Sequence, residues 1–228
     1  MKILTISDTH NQHSSIPSRF INNEDGSIDT IIHAGDMTGR GTKKEVLPFL
    51  KWFNELPFKN KILIAGNHDF WFEEASNTEV KDTLAYFDTI TYLNDSGIEI
   101  DNIKFWGSPV QPWFYDWAFN KAGETIKPHW DMIPSDTNVL ITHGPIKGFL
   151  DMTMGGESVG CSYLRDRVAE LNELKLHVCG HIHEGYGRFE TGNGVILVNA
   201  SVLNHRYYMT NEPLTIEINN EKQKLDVT

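Results

Sequence analysis

Lys61-Ile62-Leu63-Ile64-Ala65 runs straight into Gly66-Asn67-His68-Asp69. A short aliphatic run that breaks at a glycine into polar groups reads as a strand delivering side chains at its end. The same reading extends outward in both directions. Ile3 to Ser7 leads into Asp8-Thr9-His10, and Thr30 to His33 leads through Ala34 to Gly35-Asp36. Val139 to Thr142 leads into His143-Gly144, and Leu176 to Cys179 into Gly180-His181-Ile182-His183. Ligands of open α/β sheets bind beyond the carboxyl ends of the strands, so the five motifs are expected on one rim.

The intervening segments supply the remaining elements. Residues 42–56 carry Val46, Leu47, Leu50, Phe53 and Leu56 at helical spacing. Thr42 is placed as the N-cap, Glu45 completes a capping box, and Pro57 follows the end. Further helices are expected over 78–87 and 159–171, and residues 11–28 read as a polar loop. Asp101-Asn102 separates two alternating runs as a primed hairpin turn. Strands over 186–190, 195–199 and 214–218 close the chain, with Gly192-Asn193-Gly194 as a turn. Strand–helix alternation in the first half and strand-rich sequence in the second predict a mixed α/β fold, two sheets lying between helices.

With 228 residues, 39% hydrophobic and 22% charged, the chain has an ordinary globular balance and is expected to form one domain over 1–228. Its net charge of −11 argues against stable binding to nucleic-acid backbones or anionic membranes. A phosphate substrate remains compatible, because bound metal ions reverse the local field. Cys161 and Cys179 form no disulfide framework and suit a reducing compartment. The first apolar run is too short for a signal peptide, and no run approaches the ~20 residues of a membrane span. These features predict a cytoplasmic protein without a membrane partner; they leave the oligomeric state open.

The motifs hold seven nitrogen or oxygen ligands: Asp8, His10, Asp36, Asn67, His143, His181 and His183. Two adjacent divalent metals need about four or five ligands each with one shared, and a carboxylate suits the bridge. Such a pair holds an activated hydroxide beside a phosphoryl oxygen. The residue pairs Asp8/His10 and His181/His183 point to one face if the strand continues, or converge through a turn beyond its end. His68 is left over beside Asn67 and suits proton donation to a leaving alkoxide, with Asp69 orienting it or stabilising its charge.

Taken in order, Asp-x-His, Gly-Asp, Gly-Asn-His-Asp, His-Gly and Gly-His-x-His resemble the calcineurin-like metallophosphoesterases. Pro112-Trp113-Phe114, Thr142-His143-Gly144-Pro145, His183-Glu184-Gly185-Tyr186-Gly187 and Asn199-Ala200-Ser201 narrow the resemblance to the metallophosphoesterase-domain-containing branch. The resemblance implies a four-layer α/β/β/α sandwich. It also implies two divalent ions, manganese first, with iron, zinc, nickel or cobalt as alternatives. Asp8, His10 and His183 would hold one ion, Asn67, His143 and His181 the other, Asp36 would bridge, and His68 would be catalytic. The implied activity is hydrolysis of small phosphodiesters, including 2′,3′- or 3′,5′-cyclic nucleotides. Some relatives carry glycine at the position of His181 and have a weakened site; this chain keeps the ligand. Alternatives are a phosphomonoesterase of the same fold and a metal-binding scaffold without catalysis.

Several residues carry a plainer reading. His33 and His177 are expected as satisfied structural histidines, His33 with a supporting role at the site as the alternative. Trp106, Trp113, Phe114, Tyr115 and Trp117 are expected mostly to pack their loop onto the core, leaving one or two as pocket walls. Gly155, Gly156 and Gly160 suggest a mobile loop over the site. Arg188 is expected at the surface and His205 near the site is left without an assigned role.

Overall fold

The structure, a computed structural model, describes residues 1–219. The end of the expected domain, residues 220–228, lies outside the described residues. Strands β1 (Lys2–Ile6), β2 (Thr30–Ala34), β3 (Asn60–Ile64) and β4 (Ile90–Tyr92) are parallel neighbours. Strands β5 (Ser96–Ile100) and β6 (Ile103–Ser108) form the hairpin that begins the second sheet. Its turn residues Asp101 and Asn102 have φ of 50° and 62°, both central positions of the primed turn lying in the left-handed region. A small ribbon, β7 (Gln111–Pro112) and β8 (Asn120–Lys121), closes the aromatic loop. Strands β9 (Val139–Thr142), β10 (Leu176–Cys179), β11 (Gly187–Glu190) and β12 (Ile196–Asn199) complete the second sheet in the order β11-β12-β10-β9-β6-β5. Strand β13 (Leu214–Glu217) returns to the first sheet and pairs antiparallel with β1.

The helices are α1 (Ser18–Ile21), α2 (Lys43–Glu55), α3 (Phe70–Glu74), α4 (Asn77–Leu84), α5 (Lys127–Asp131) and α6 (Ser162–Val168). Helix α2 starts at Thr42, whose backbone N–H donates to the Glu45 carboxylate at 3.1 Å. The expected helix over 159–171 is shorter: residues 159–161 instead pair with the chain at Asp151 and Pro145. The sequence predicts no helix at α1, where a loop is expected, nor at α3 or α5; each is about one turn, too short to show a helical period.

Alternation within each apolar run creates the layers. Leu4, Ile31 and Leu63 face Val46, Phe49, Leu50 and Phe53 on one side of the first sheet. Ile3, Ile32, Ile62 and Ile64 face the opposite way and meet Phe105, Val139, Ile141 and Val178 of the second sheet. The outer side of that sheet, with Leu140 and Leu197, packs on Trp130 and Leu164 of α5 and α6. Three stacked apolar layers make the order α/β/β/α, and strands buried on both faces read as unbroken aliphatic runs. Among the described residues, no helix is long and apolar enough to cross a membrane.

The layering also places the site. The carboxyl ends of parallel β1, β2 and β3 meet those of β9 and β10 at one edge. There Ser7 and Ser201 form a bridge between the two sheets, and Val202 N–H donates to the Ser7 carbonyl.

Candidate metal centre

Four of the seven candidate ligands have backbones that few residues adopt without support. Asp8, His10, Asp36 and His181 have φ of 53°, 38°, 56° and 67°. The Asp8/His10 pair therefore converges through a tight turn beyond β1 rather than through the pleat of a strand. Such left-handed non-glycine residues persist only where neighbouring bonds over-determine them. Here Asp8 N–H donates to the Gly35 carbonyl at 3.0 Å and His10 N–H to the Asp36 carbonyl at 3.1 Å. The preceding glycines give room as much as freedom. A β-carbon at Gly66 would collide with Asp36, and one at Gly180 with the Asp8 carboxylate and Ser7 hydroxyl.

Asp36 is buried and its two oxygens face different partners. Oδ2 lies 3.6 Å from His10 Nε2, and Oδ1 lies 3.3 Å from His143 Nε2. Around them, Asp8, His10 and His183 converge as one group, and Asp36, His143 and His181 as another, with ligand atoms within 4.8 Å of one another in each. Asn67 Oδ1 stands 2.9 Å from His143 Nε2, adding an amide oxygen to the second group. Three histidines present Nε2 inward because Nδ1 is engaged by a backbone carbonyl: His10 by Thr38, His143 by Ala34 and His183 by Asn204. This arrangement fixes both the tautomer and the ring plane of a metal ligand.

The donor set fits two cations. His10 Nε2 is buried without any hydrogen-bond partner, an arrangement that costs free energy unless another group meets it. Burial opposes charge on the carboxylates, yet the His183 hydrogen bond holds Asp8 well below its usual range, and His143 does the same for Asp36. Burial likewise opposes protonation of His143 and His183, but Asp36 and Asp8 push each up to about 9. Burial and the neighbouring His143 push His181 down to about 4. A buried pair of ionised carboxylates surrounded by imidazoles is electrostatically suited to divalent metal.

His68 stands beside this cluster. Its ring is within 4.6 Å of His10, centroid to centroid, and its backbone N–H donates to Asp36 Oδ1 at 2.8 Å. Nδ1 meets the Gly39 carbonyl at 2.9 Å, which leaves Nε2 for proton transfer. Trp117 backs the ring at 4.1 Å. Asp69 does not orient His68 as expected. Its buried carboxylate accepts from the N–H groups of Met37, Thr38 and Gly66 and from the Thr38 hydroxyl. The adjacent position in sequence suggested a catalytic partner, but the turn directs the Asp69 side chain inward. It clamps the Asp36 and Asn67 loops together, and the Gly39 carbonyl orients His68.

A cavity of about 550 Å³ opens onto the cluster. Trp113, Phe114 and Trp117 line it, one more than the pocket walls expected of the aromatic loop; Trp106 packs against the outer core. The lining also includes Thr153, Glu157, Val159 and Gly160. This glycine-bearing segment is pinned: Met152 and Ser158 pair, and Asp151 accepts from Gly148 N–H, Gly160 N–H and the Ser158 hydroxyl. His33 bonds Thr9 between two ligands, His177 bonds Thr142, His205 is exposed, and Arg188 pairs with Glu190 at the surface.

Four supporting residues escaped assignment from sequence. The Ser201 hydroxyl donates to Asp8 at 2.7 Å. Asn199 Nδ2 bridges the carbonyls of Leu150, Gly180 and Ile182, holding the His181–His183 loop. The Asn204 carbonyl orients His183, and Tyr207 lies over His10 and His183. Burial, then Asp36 and Asp8, raise the Tyr207 phenol pKa. Asn199 and Ser201 follow an apolar strand as the ligands do, a signal that was available; nothing local marks Asn204 or Tyr207.

Residues 1–185 match the model of the calcineurin-like phosphoesterases. The chain belongs to that family. Its members are dinuclear-metal phosphoesterases, and the ligand groups described above fit that chemistry. The chain is 36% identical to human metallophosphoesterase domain-containing protein 1, over 95% of this chain and 71% of the human one. It is 32% identical to UPF0046 protein K07C11.7 of Caenorhabditis elegans, over 96% and 75%. In three dimensions it resembles TT1561 of Thermus thermophilus, with a TM-score of 0.64 at 13% identity, covering 87% of this chain and 88% of that one. A dimetal phosphatase from Danio rerio has a TM-score of 0.53 at 10% identity, covering 87% and 86%. These likenesses establish the fold; the activity rests on the family and on the site.

Proposed function

We propose that this protein is a phosphodiesterase dependent on two divalent ions, manganese foremost, and that its substrates are small phosphodiesters such as 2′,3′- or 3′,5′-cyclic nucleotides. The observation that carries this reading is the position of His68: beside Asp36, fixed by Gly39 and facing an aromatic-walled cavity.

When bound, the two ions supply charge neutralisation and lower the pKa of the attacking water. Asp8, His10 and His183 would hold one, Asn67, His143 and His181 the other, with Asp36 between them. His68 delivers a proton from Nε2 to the departing ester oxygen, while the Gly39 carbonyl keeps the ring in plane. Trp117 excludes water from its outer face. Trp113 and Phe114 offer flat apolar surface to a nucleobase or similar substituent. Among the described lining residues none is lysine or arginine, and Glu157 adds a negative charge. This favours a singly charged diester over a doubly charged monoester. The net charge of −11 fits a cytoplasmic enzyme acting on small molecules rather than on nucleic acid.

The deciding experiment assays manganese-loaded protein in parallel on bis-p-nitrophenyl phosphate, p-nitrophenyl phosphate and cyclic nucleotides. Preference for the diesters is expected. Preference for the monoester would replace this reading with a phosphomonoesterase. Absence of all three activities at full metal content would leave a metal-binding scaffold.

A further inference from the structure

Tyr207 is placed with more structure than a loop tyrosine requires. Its ring centroid lies 5.0 Å from His10 and 5.2 Å from His183, edge-on to both at 70° and 66°. Its φ is 60°, a costly conformation for an aromatic residue. The turn that holds it there is fully bonded. Tyr207 N–H donates to the Asn204 carbonyl at 2.8 Å, and Asn204 N–H to the Tyr208 carbonyl at 2.9 Å. The Asn204 side chain accepts from the N–H groups of Arg206 and Tyr208. Gln12 Nε2 anchors the Tyr207 carbonyl at 3.1 Å. The Asn204 carbonyl that closes this turn is also the one that orients ligand His183. One backbone atom thus fixes a metal ligand and the tyrosine beside it.

Tyr207 is 48% exposed and lines the cavity with His10, Asp36, His68 and His183. Among the described residues its phenol oxygen makes no hydrogen bond, although both backbone groups are engaged. Its neighbours His10, Asp36, His68 and His183 in that lining are committed to ligation or to proton transfer.

Resting on the phosphoesterase reading, we propose that Tyr207 is a catalytic residue whose phenol donates a hydrogen bond to a non-bridging phosphoryl oxygen of the substrate. It does so from the side of His10 and His183. Tyr207 lies beyond residues 1–185, the span that matches the family model.

The test compares wild type, Tyr207→Phe and, as control, Tyr208→Phe, an exposed neighbour absent from the cavity lining. Tyr207→Phe keeps the ring and is expected to keep two metals per chain by elemental analysis. Its kcat/KM on bis-p-nitrophenyl phosphate should fall about 10- to 100-fold, the usual worth of a hydrogen bond to a charged acceptor. Its affinity for inorganic phosphate, measured by calorimetry on the manganese-loaded protein, should weaken in parallel; Tyr208→Phe should match wild type in both. Unchanged kcat/KM and phosphate affinity in Tyr207→Phe would overturn the assignment, as would loss of metal, which would make the phenol a support of the ligands. If wild type hydrolyses no ester, the phosphoesterase reading fails separately and the phosphate affinities alone decide Tyr207.

Discussion

His68 shows how one side chain is assigned by its surroundings. Its ring lies tilted against Trp117, its Nδ1 is held by Gly39, and the residue lines the cavity. His68→Ala should retain both metals and lower kcat by about 10²- to 10⁴-fold, the ordinary contribution of general acid catalysis. The loss should be greater for a cyclic nucleotide, whose leaving group is an alkoxide, than for p-nitrophenolate, which departs without much help. Equal losses on the two substrates would point to phosphate binding instead of proton donation. His177 makes a different prediction. Burial pushes it down to about 3, so the folded protein holds it neutral, while the unfolded chain takes up a proton near pH 6.5. Its neutral form therefore stabilises the fold fully at pH 7, and that contribution drains away as pH falls toward 3. Chelator-treated wild type should lose about 2 kcal/mol more than His177→Gln between pH 7 and pH 5. Urea denaturation at the two pH values measures this, and parallel slopes for both proteins would refute it.

At the scale of elements, the site depends on loops locked by side chains from distant strands. Asn199, at the end of β12, bonds the Gly180 and Ile182 carbonyls on either side of His181 and the Leu150 carbonyl beyond them. Asn199→Ala leaves those carbonyls unmet and frees the loop. Metal affinity should drop about 10- to 100-fold, as is usual when the partners that orient ligands are removed. Competitive metal titration tests this, and an unchanged affinity would show that the β10 end alone holds the loop. The cavity walls follow the same logic. The aromatic loop is closed by the β7–β8 ribbon and the Thr153–Gly160 segment by Asp151, so both are built into the fold.

At the scale of the molecule, the metal centre joins the two sheets. Asp8, His10, Asp36 and Asn67 come from loops after the first sheet's strands, His143, His181 and His183 from loops after the second's. Metal binding should therefore stabilise the whole sandwich. Each site saturated at a hundred times its Kd adds about 2.7 kcal/mol, provided the unfolded chain does not bind. Removing the metals should lower Tm by several degrees, and restoring manganese should reverse the change; a Tm indifferent to metal would mean the sheets are held by the apolar layers alone.

Strand periods and turn chemistry are local, so β1, β2, β3, β9, β10, the capped α2 and the Asp101-Asn102 hairpin were legible in the residues themselves. The spacing of polar motifs behind those strands also marked the seven ligand candidates, because each motif sits within a few residues of its strand end. Side-chain direction inside a turn is not local in the same sense. Asp69 looked like a partner of His68 and instead points into the clamp beneath it, since the φ of 56° at Asp36 and the packing of the Met37–Thr38 backbone decide where its carboxylate finds donors. Asn204 and Tyr207 carry no motif at all; only closure of the chain from β12 back to β13 brings them over His10 and His183. The sequence by itself determined which groups arrive at the edge of the sheets, because that depends on periodicity and chemistry within short runs. The tertiary structure decided which of them face one another and what walls the cavity, because those contacts join residues up to 195 positions apart.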